Sequence, residues 1–337
     1  MKAVIVNRFG GPEVMEMADL PVPAAAPGQV VVRVSHVGIN FKDIYLRTGV
    51  YKARPTGPSG ISYEPRFPFT LGLEASGVVS EVGEGVDDVK PGDRVCFQEG
   101  IGAYAEFVAV PAWRCAPVPD GVSMELAAAV PLQGGTAHYQ CHGFTTLGPE
   151  SSCLVHAGAG GVGHILIQLA KHQGARVFTT VGSPEKAAFV RSLGADVVIE
   201  YRHQSFLDIV KEETGGAGVD IVWDSVGIAT IHDSIKCARR RGICVLFGSV
   251  SGQVHAVEPL ALGAAGSVLF TRSHLEHFTS NAEEVRTQAR ELFDGILEGW
   301  LKVTIDRVLP FEDYAEAQRV LEDRENMGKV LLRVSDD

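Results

Sequence analysis

Gly158, Gly160 and Gly163 stand in the order G-x-G-x-x-G. In that spacing one glycine makes a turn, one lets the backbone approach a pyrophosphate, and one packs helix against strand. Gly161 and Val162 lie between them, where the first N–H groups of a helix have no internal partner and face the positive end of its dipole. The chemistry implied is dinucleotide binding. A site selective for NAD places Asp or Glu about 20 residues beyond the glycines, against the ribose hydroxyls. Here residues 181–186 read Val-Gly-Ser-Pro-Glu-Lys. After Gly182, Ser183 offers a hydroxyl and Lys186 a positive charge, groups that suit a 2′-phosphate, so NADPH is the expected cofactor. Ser183 is also a good helix cap before Pro184, and the two roles are compatible.

A second set of polar groups precedes the glycines. Asn40 caps a short helix, with Asp43 three residues on as in a capping box, and Asn40, Tyr45 and Tyr51 are able to point toward one cleft. Asp224, at the end of an apolar run, reads as a turn cap rather than a base.

The elements that must hold these groups are legible in the hydrophobic pattern. Residues 152–155 form a short buried strand, residues 162–170 repeat apolar side chains at helical spacing, and residues 175–181 form a second strand reached through Gly174. Further strands at 197–202, 220–227 and 242–249 alternate with helices, including one at 205–213, which makes a doubly wound parallel sheet. The chain before it is different. Strands at 2–8, 29–38, 70–86, 89–95 and 102–110, with glycine and proline turns, predict a compact β-barrel domain. Residues 52–69 are rich in proline and predict a loop, and residues 124–139 predict one helix. Near the C-terminus, a strand at 266–272, an amphipathic helix at 282–298 and a last strand at 328–334 complete the pattern.

The totals narrow the function classes. The 337 residues suggest two domains, and 30 basic against 41 acidic residues give a net charge of −11. That balance disfavours nucleic acid and anionic membranes as partners. No segment is apolar for long enough to span a bilayer, the N-terminus lacks a signal-like run, and a cytoplasmic protein is expected. The six cysteines include no C-x-x-C pair and the eleven histidines no H-E-x-x-H pair, so reduced buried thiols are expected and no metal site is.

An ordered set of motifs then resembles one family. Gly10-Gly11-Pro12-Glu13-Val14, Gly38-Ile39-Asn40-Phe41-Lys42-Asp43, Gly72-Leu73-Glu74, Pro91-Gly92-Asp93-Arg94-Val95, Gly102-Ala103-Tyr104-Ala105-Glu106 and the glycine loop follow the order of the medium-chain dehydrogenases/reductases. The chain is most similar to their zinc-free quinone oxidoreductase branch, the NADPH:quinone reductases that include zeta-crystallin. The resemblance implies a GroES-like β-barrel catalytic domain at 1–122, a Rossmann NADPH-binding domain at 123–266 and a return to the catalytic domain at 267–337. The zinc alcohol dehydrogenases of that superfamily carry a metal-binding Cys and His where this chain has Asn40 and Leu73, so their catalytic zinc is not expected.

By the same resemblance, Gln133 and Thr136 approach the nicotinamide, Tyr201 the adenosine end, and Phe247, Gly248 and Ser249 the carboxamide. Arg272 is placed to reach a cofactor phosphate or the cleft between the domains. Tyr51 falls where related enoyl reductases carry a proton-donating tyrosine, with Tyr45 and Asn40 orienting an acceptor carbonyl. The leading expectation is NADPH-dependent reduction of a quinone or another α,β-unsaturated carbonyl. An enoyl, enal or haloacrylate reductase and an NADPH-binding structural protein of the crystallin kind stand as alternatives. A homodimer is expected, joined at the edges of two cofactor-domain sheets near residues 242–249.

Overall fold

A computed structural model of the chain describes residues 1–50 and 66–335. It divides into two compact units, the first comprising Met1–Gly135, Leu275–Gly299 and Val303–Asp337, the second Thr136–His274 and Trp300–Lys302.

In chain order, the first unit begins with β1 (Lys2–Val6), β2 (Met15–Asp19), β3 (Gln29–Gly38), α1 (Phe41–Thr48), β4 (Phe69–Thr70), β5 (Glu74–Val82), β6 (Arg94–Gln98), β7 (Phe107–Pro111), β8 (Cys115–Pro117) and α2 (Met124–Ala128). Helix α3 (Pro131–His142) then leads into β9 (Ser152–Val155), α4 (Gly161–His172), β10 (Arg176–Val181), α5 (Pro184–Ser192), β11 (Val197–Glu200), α6 (Phe206–Glu213), β12 (Val219–Asp224), α7 (Ile231–Cys237), β13 (Ala238–Leu246), α8 (Pro259–Ala264) and β14 (Leu269–Arg272). The chain closes with α9 (Ala282–Leu297), β15 (Ile305–Pro310), α10 (Tyr314–Glu322) and β16 (Lys329–Arg333).

Strand β3 is the spine of the first unit. It pairs antiparallel with β5, β7 and β16 within a seven-stranded sheet. That accounts for its near-continuous burial, with Val30, Val32, Val34 and Val37 at zero exposure. A smaller sheet, β2-β1-β4, completes the strand set. The single helix expected over 124–139 is two, because Pro131 lacks the N–H needed to continue a helix and instead opens α3.

The second unit is a six-stranded parallel sheet in the order β11-β10-β9-β12-β13-β14. Strand order reverses at β9, and the loops after β9 and β12 diverge there, which is where sheets of this kind open a crevice for ligands. Cys153, Leu154 and Val155 of β9 have no exposed surface, as the central strand of such a sheet requires. The sheet edge is β14, not residues 242–249 as expected: β13 is hydrogen-bonded on one side by β12 and on the other by β14. Among the described residues no helix is long and apolar enough to cross a membrane.

Candidate functional site

At the end of β9 the chain turns through Ala157, whose φ of 54° is left-handed. The Gly158 N–H donates to the Thr180 carbonyl at 3.1 Å, which presses the turn against β10. A Cβ on Gly158 would lie 2.0 Å from Thr179 Oγ1, and one on Gly163 would lie 2.4 Å from the Ala157 carbonyl oxygen. Both glycines are therefore demanded by packing. Gly160 differs, since its Cβ would meet only the Ala157 oxygen, at 3.2 Å. It caps α4, and Gly161, Val162 and Gly163 follow as the first turn, whose N–H groups have no intrahelical acceptor. The surface over Gly160 and these N–H groups is a cradle for an anionic oxygen, and a pyrophosphate fits it.

The neighbouring strand end gathers the predicted adenosine-side residues. Ser183 Oγ accepts the Lys186 N–H at 3.3 Å and caps α5. Its hydroxyl also bonds the exposed Glu185 carboxylate and holds that group below its ordinary range. Tyr201, 43% exposed, lies over Gly182, where a Cβ would stand 2.9 Å from the phenol oxygen. No Asp or Glu side chain occupies the tip of β10 itself. Beyond β13, a Cβ on Gly248 would lie 2.1 Å from the Ser225 carbonyl oxygen, so only glycine permits this approach. Phe247 N–H donates to Asp224 O at 2.9 Å, and Ser249 Oγ donates to Gly248 O at 2.8 Å. At the end of β14 the Arg272 guanidinium donates to the Ser273 carbonyl at 2.8 Å. Thus the glycine turn, Gly182, Ser183, Lys186, Tyr201, Phe247, Gly248, Ser249 and Arg272 all sit at the carboxyl ends of strands in one parallel sheet.

Asp224 serves as a turn cap. It has no exposed surface, and its Oδ1 accepts the N–H groups of Val226 and Gly227 at 2.8 and 3.0 Å. On α3, Gln133 and Thr136 are buried, and Gln133 Oε1 has no hydrogen-bond partner among the described residues.

The first unit holds Asn40 and Tyr45, and here the side chain of Asn40 does something other than expected. Its two Nδ2 hydrogens go to the Gly38 carbonyl at 3.0 Å and to Glu74 Oε2 at 2.9 Å, while its Oδ1 accepts from Lys329 Nζ at 2.9 Å. With both N–H bonds committed and 2% exposure, Asn40 has no donor left to orient an acceptor carbonyl. Its backbone N–H donates to Asp43 Oδ2 at 2.9 Å, the reciprocal half of the capping box. Tyr45 is half-buried on α1, its ring 6.2 Å from that of Phe41. Tyr51 lies outside the described residues.

Sequence reasoning missed the rest of this network. Lys329 Nζ bonds Glu74 Oε2 at 2.5 Å with neither side chain exposed, and Glu74 Oε1 accepts the Leu132 N–H at 2.6 Å. Tyr104 donates to Asp43 Oδ2 at 3.2 Å. Burial pushes the Asp43 carboxyl up to about 7, against opposing hydrogen bonds and the Lys329 charge. The available signal was a lysine directly before the apolar run Val330-Leu331-Leu332. Among the described residues no group of three or more His, Cys, Asp or Glu side chains is placed to hold a metal ion. All six cysteines are buried and unpaired by disulfides, and burial pushes the Cys141 and Cys237 thiols up to about 12, so these are protonated, unreactive groups.

Comparison with known proteins agrees with this geometry. Residues 26–120 match the alcohol dehydrogenase GroES-like domain family and residues 161–294 the zinc-binding dehydrogenase family. The chain is 39% identical to a quinone oxidoreductase of Salmonella typhimurium, over 97% of each chain. It is 36% identical to a 2-haloacrylate reductase of a Burkholderia species, over 98% of each. Its structure matches that of Escherichia coli quinone oxidoreductase complexed with NADPH at a TM-score of 0.93 and 37% identity, covering 99% of this chain and all of the other. The chain belongs to the quinone oxidoreductase branch of the medium-chain dehydrogenases/reductases.

Proposed function

We propose that the chain is an NADPH-dependent quinone oxidoreductase. The observation that carries this reading is the glycine cradle at the switch point of the parallel sheet, in a chain 37–39% identical to quinone oxidoreductases over nearly its whole length. NADPH, when bound, supplies the hydride. The protein's part is to hold and orient. The N–H groups of Gly161, Val162 and Gly163 receive the pyrophosphate over Gly160, and Lys186 with Ser183 receives the 2′-phosphate, Ser183 exchanging its bond to Glu185 for one to phosphate. Gln133 Oε1, a buried acceptor with no partner among the described residues, suits an amide N–H donor such as a carboxamide. Within the second unit, Thr136, Phe247, Gly248 and Ser249 serve the carboxamide end and Tyr201 the adenosine, and Arg272, paired beside Leu246, supplies a positive charge.

Reduction of a quinone asks little more of the side chains, because the hydroquinone oxygens take protons from water. The acceptor is held by Tyr45, while Asn40 acts through the network that fixes the start of α1. The similarity to a 2-haloacrylate reductase favours activated alkenes as a second acceptor class. That reaction needs an acid, and Tyr51 is the assigned donor.

A homodimer fits the second unit. Among the described residues strand β14 has no partner on its outer side, Leu269 on it is 63% exposed, and Leu260 on α8 is 80% exposed. Six buried reduced thiols suit a cytoplasmic location.

The test is oxidation of NADPH with benzoquinone or phenanthrenequinone, beside an alkenal and a haloacrylate, each repeated with NADH. Turnover of quinones with NADPH strongly preferred is expected, and Lys186→Ala is expected to cut that preference about tenfold, as loss of one charge-assisted contact does. Turnover of alkenes alone, abolished by Tyr51→Phe, would move the assignment to the second class. NADPH binding without turnover of any acceptor would point to a structural role.

A further inference from the structure

The ring of His156 lies directly before the glycine turn, 1% exposed, and its two nitrogens bond Thr180 on β10 and Ser234 on α7, each a step from one of the two loops that diverge at the switch point. The directions of its hydrogen bonds follow from Asp224. That carboxylate accepts on Oδ1 from two backbone N–H groups, and on Oδ2 from the hydroxyls of Thr230 at 2.7 Å and Ser234 at 2.6 Å. Since the Ser234 hydrogen is spent on Asp224, its oxygen must accept from His156 Nε2, 3.0 Å away. The Nδ1 lone pair then accepts from the Thr180 hydroxyl at 3.0 Å, and Thr180 Oγ1 accepts in turn from the Ala157 N–H at 3.2 Å. Every donor and acceptor on the path is satisfied in one direction only, from Ala157 through Thr180, His156 and Ser234 to Asp224.

The two ends of this path lie in the turn after β9 and at the end of β12, on either side of the switch point. Ala157 is the left-handed pivot of the phosphate turn, its carbonyl accepting the Gly160 N–H at 2.9 Å. Asp224 organises the turn through Gly227, against which Gly248 packs by way of Ser225. Phe206 stands edge-on to the ring at 4.7 Å and shields it. Burial lowers the basicity of the ring more than the nearby Asp224 raises it, which agrees with a neutral imidazole.

We propose that His156, fixed as the neutral Nε2–H tautomer, is a positioning residue that ties the phosphate-binding turn after β9 to the Asp224–Gly227 turn after β12 and so sets the affinity for NADPH. This rests on the NADPH reading above. Protonation of Nδ1 would deprive the Thr180 hydroxyl hydrogen of its acceptor, and loss of the ring would uncouple the two loops.

The experiment uses the full chain labelled with ¹⁵N-histidine, with His156 assigned by comparison with His156→Gln. A long-range ¹H–¹⁵N correlation at neutral pH is expected to show the Nε2–H tautomer, with its shifts moving when NADPH is added. In fluorescence titrations, His156→Phe and Thr180→Val are each expected to raise the NADPH Kd about tenfold, consistent with loss of one buried hydrogen-bonded link. The double variant should be no worse than the weaker single variant, because both break one path. The KM for NADPH should follow, with kcat at saturation within about twofold. An Nδ1–H or doubly protonated ring in the wild-type protein overturns the proposal without any variant having to fold. So do unchanged or fully additive Kd values. If the wild-type chain binds no NADPH, the functional reading fails with it, and the two failures are thereby distinguished.

Discussion

Lys329 and Glu74 form an ion pair with no exposed surface, reinforced by Asn40 on one side and the Leu132 N–H on the other. Burying a charge is tolerable only while its partner is present. Lys329→Met is therefore expected to cost about 3–5 kcal/mol in denaturant unfolding, because it strands the Glu74 carboxylate, and adding Glu74→Gln should recover much of that loss. Asp43, in the same network, gives a pH signature. Its folded-state carboxyl titrates near 7, above the value of about 4 in an unfolded chain. Between those values the native state holds a proton that the unfolded state has released, so stability falls as pH rises through this window and is fully present below it. Asp43→Asn removes the titration. Its stability relative to wild type should climb between about pH 4 and pH 7, by a few kcal/mol at most, as read from unfolding curves at pH 5 and pH 8. The pairing of Asn40 with Asp43 was legible because a capping box is local. The diversion of the Asn40 side chain was not, since Lys329 arrives from the far end of the chain and only tertiary pairing of β16 with β3 brings it there.

At the scale of elements, the β9–turn–α4 unit is where sequence and structure agree most closely, and the reason is that its constraints are short-range. Three glycines within six residues encode three different contacts, and the contacts predict different outcomes. A Cβ at Gly163 meets only backbone, the Ala157 oxygen at 2.4 Å and the Gly158 Cα at 2.8 Å, so the turn itself has to open. Gly163→Ala should lower stability by about 1–3 kcal/mol, the usual range for forcing extra volume into a packed site, and weaken NADPH binding as a consequence. Gly160→Ala has only the Ala157 oxygen to displace, at 3.2 Å. It should melt within a few degrees of wild type yet still lose NADPH affinity, because the added methyl occupies the cradle. Thermal melts beside fluorescence titrations separate the two. The same local logic placed Ser183 as the cap of α5. It did not reach His156, whose meaning depends on hydroxyls 24 and 78 residues away.

At the scale of the whole molecule, the alternation of apolar strands and helices was enough to read a doubly wound sheet, but not to read its edge. Leu269–Arg272 is four residues long and partly exposed, a weak strand by its own pattern, and it earns its place only by parallel pairing with β13. The proposed dimer therefore depends on β14. Its open edge and the exposed Leu269 would be covered by the same strand of a second copy, an isologous contact. Leu269→Lys tests this cleanly. The position is 63% exposed, so the fold of one copy is left intact, and the added positive charge reduces the magnitude of the net charge of −11 that each copy carries. Any dissociation it causes is then due to a desolvated lysine at the edge rather than to repulsion between acidic copies. Sedimentation velocity should show a wild-type dimer that tightens with added salt, and a variant whose dissociation constant rises at least about tenfold, as expected when a buried apolar side chain gives way to a charge. A wild-type monomer, or a Leu269→Lys dimer as tight as wild type, would remove β14 from the interface.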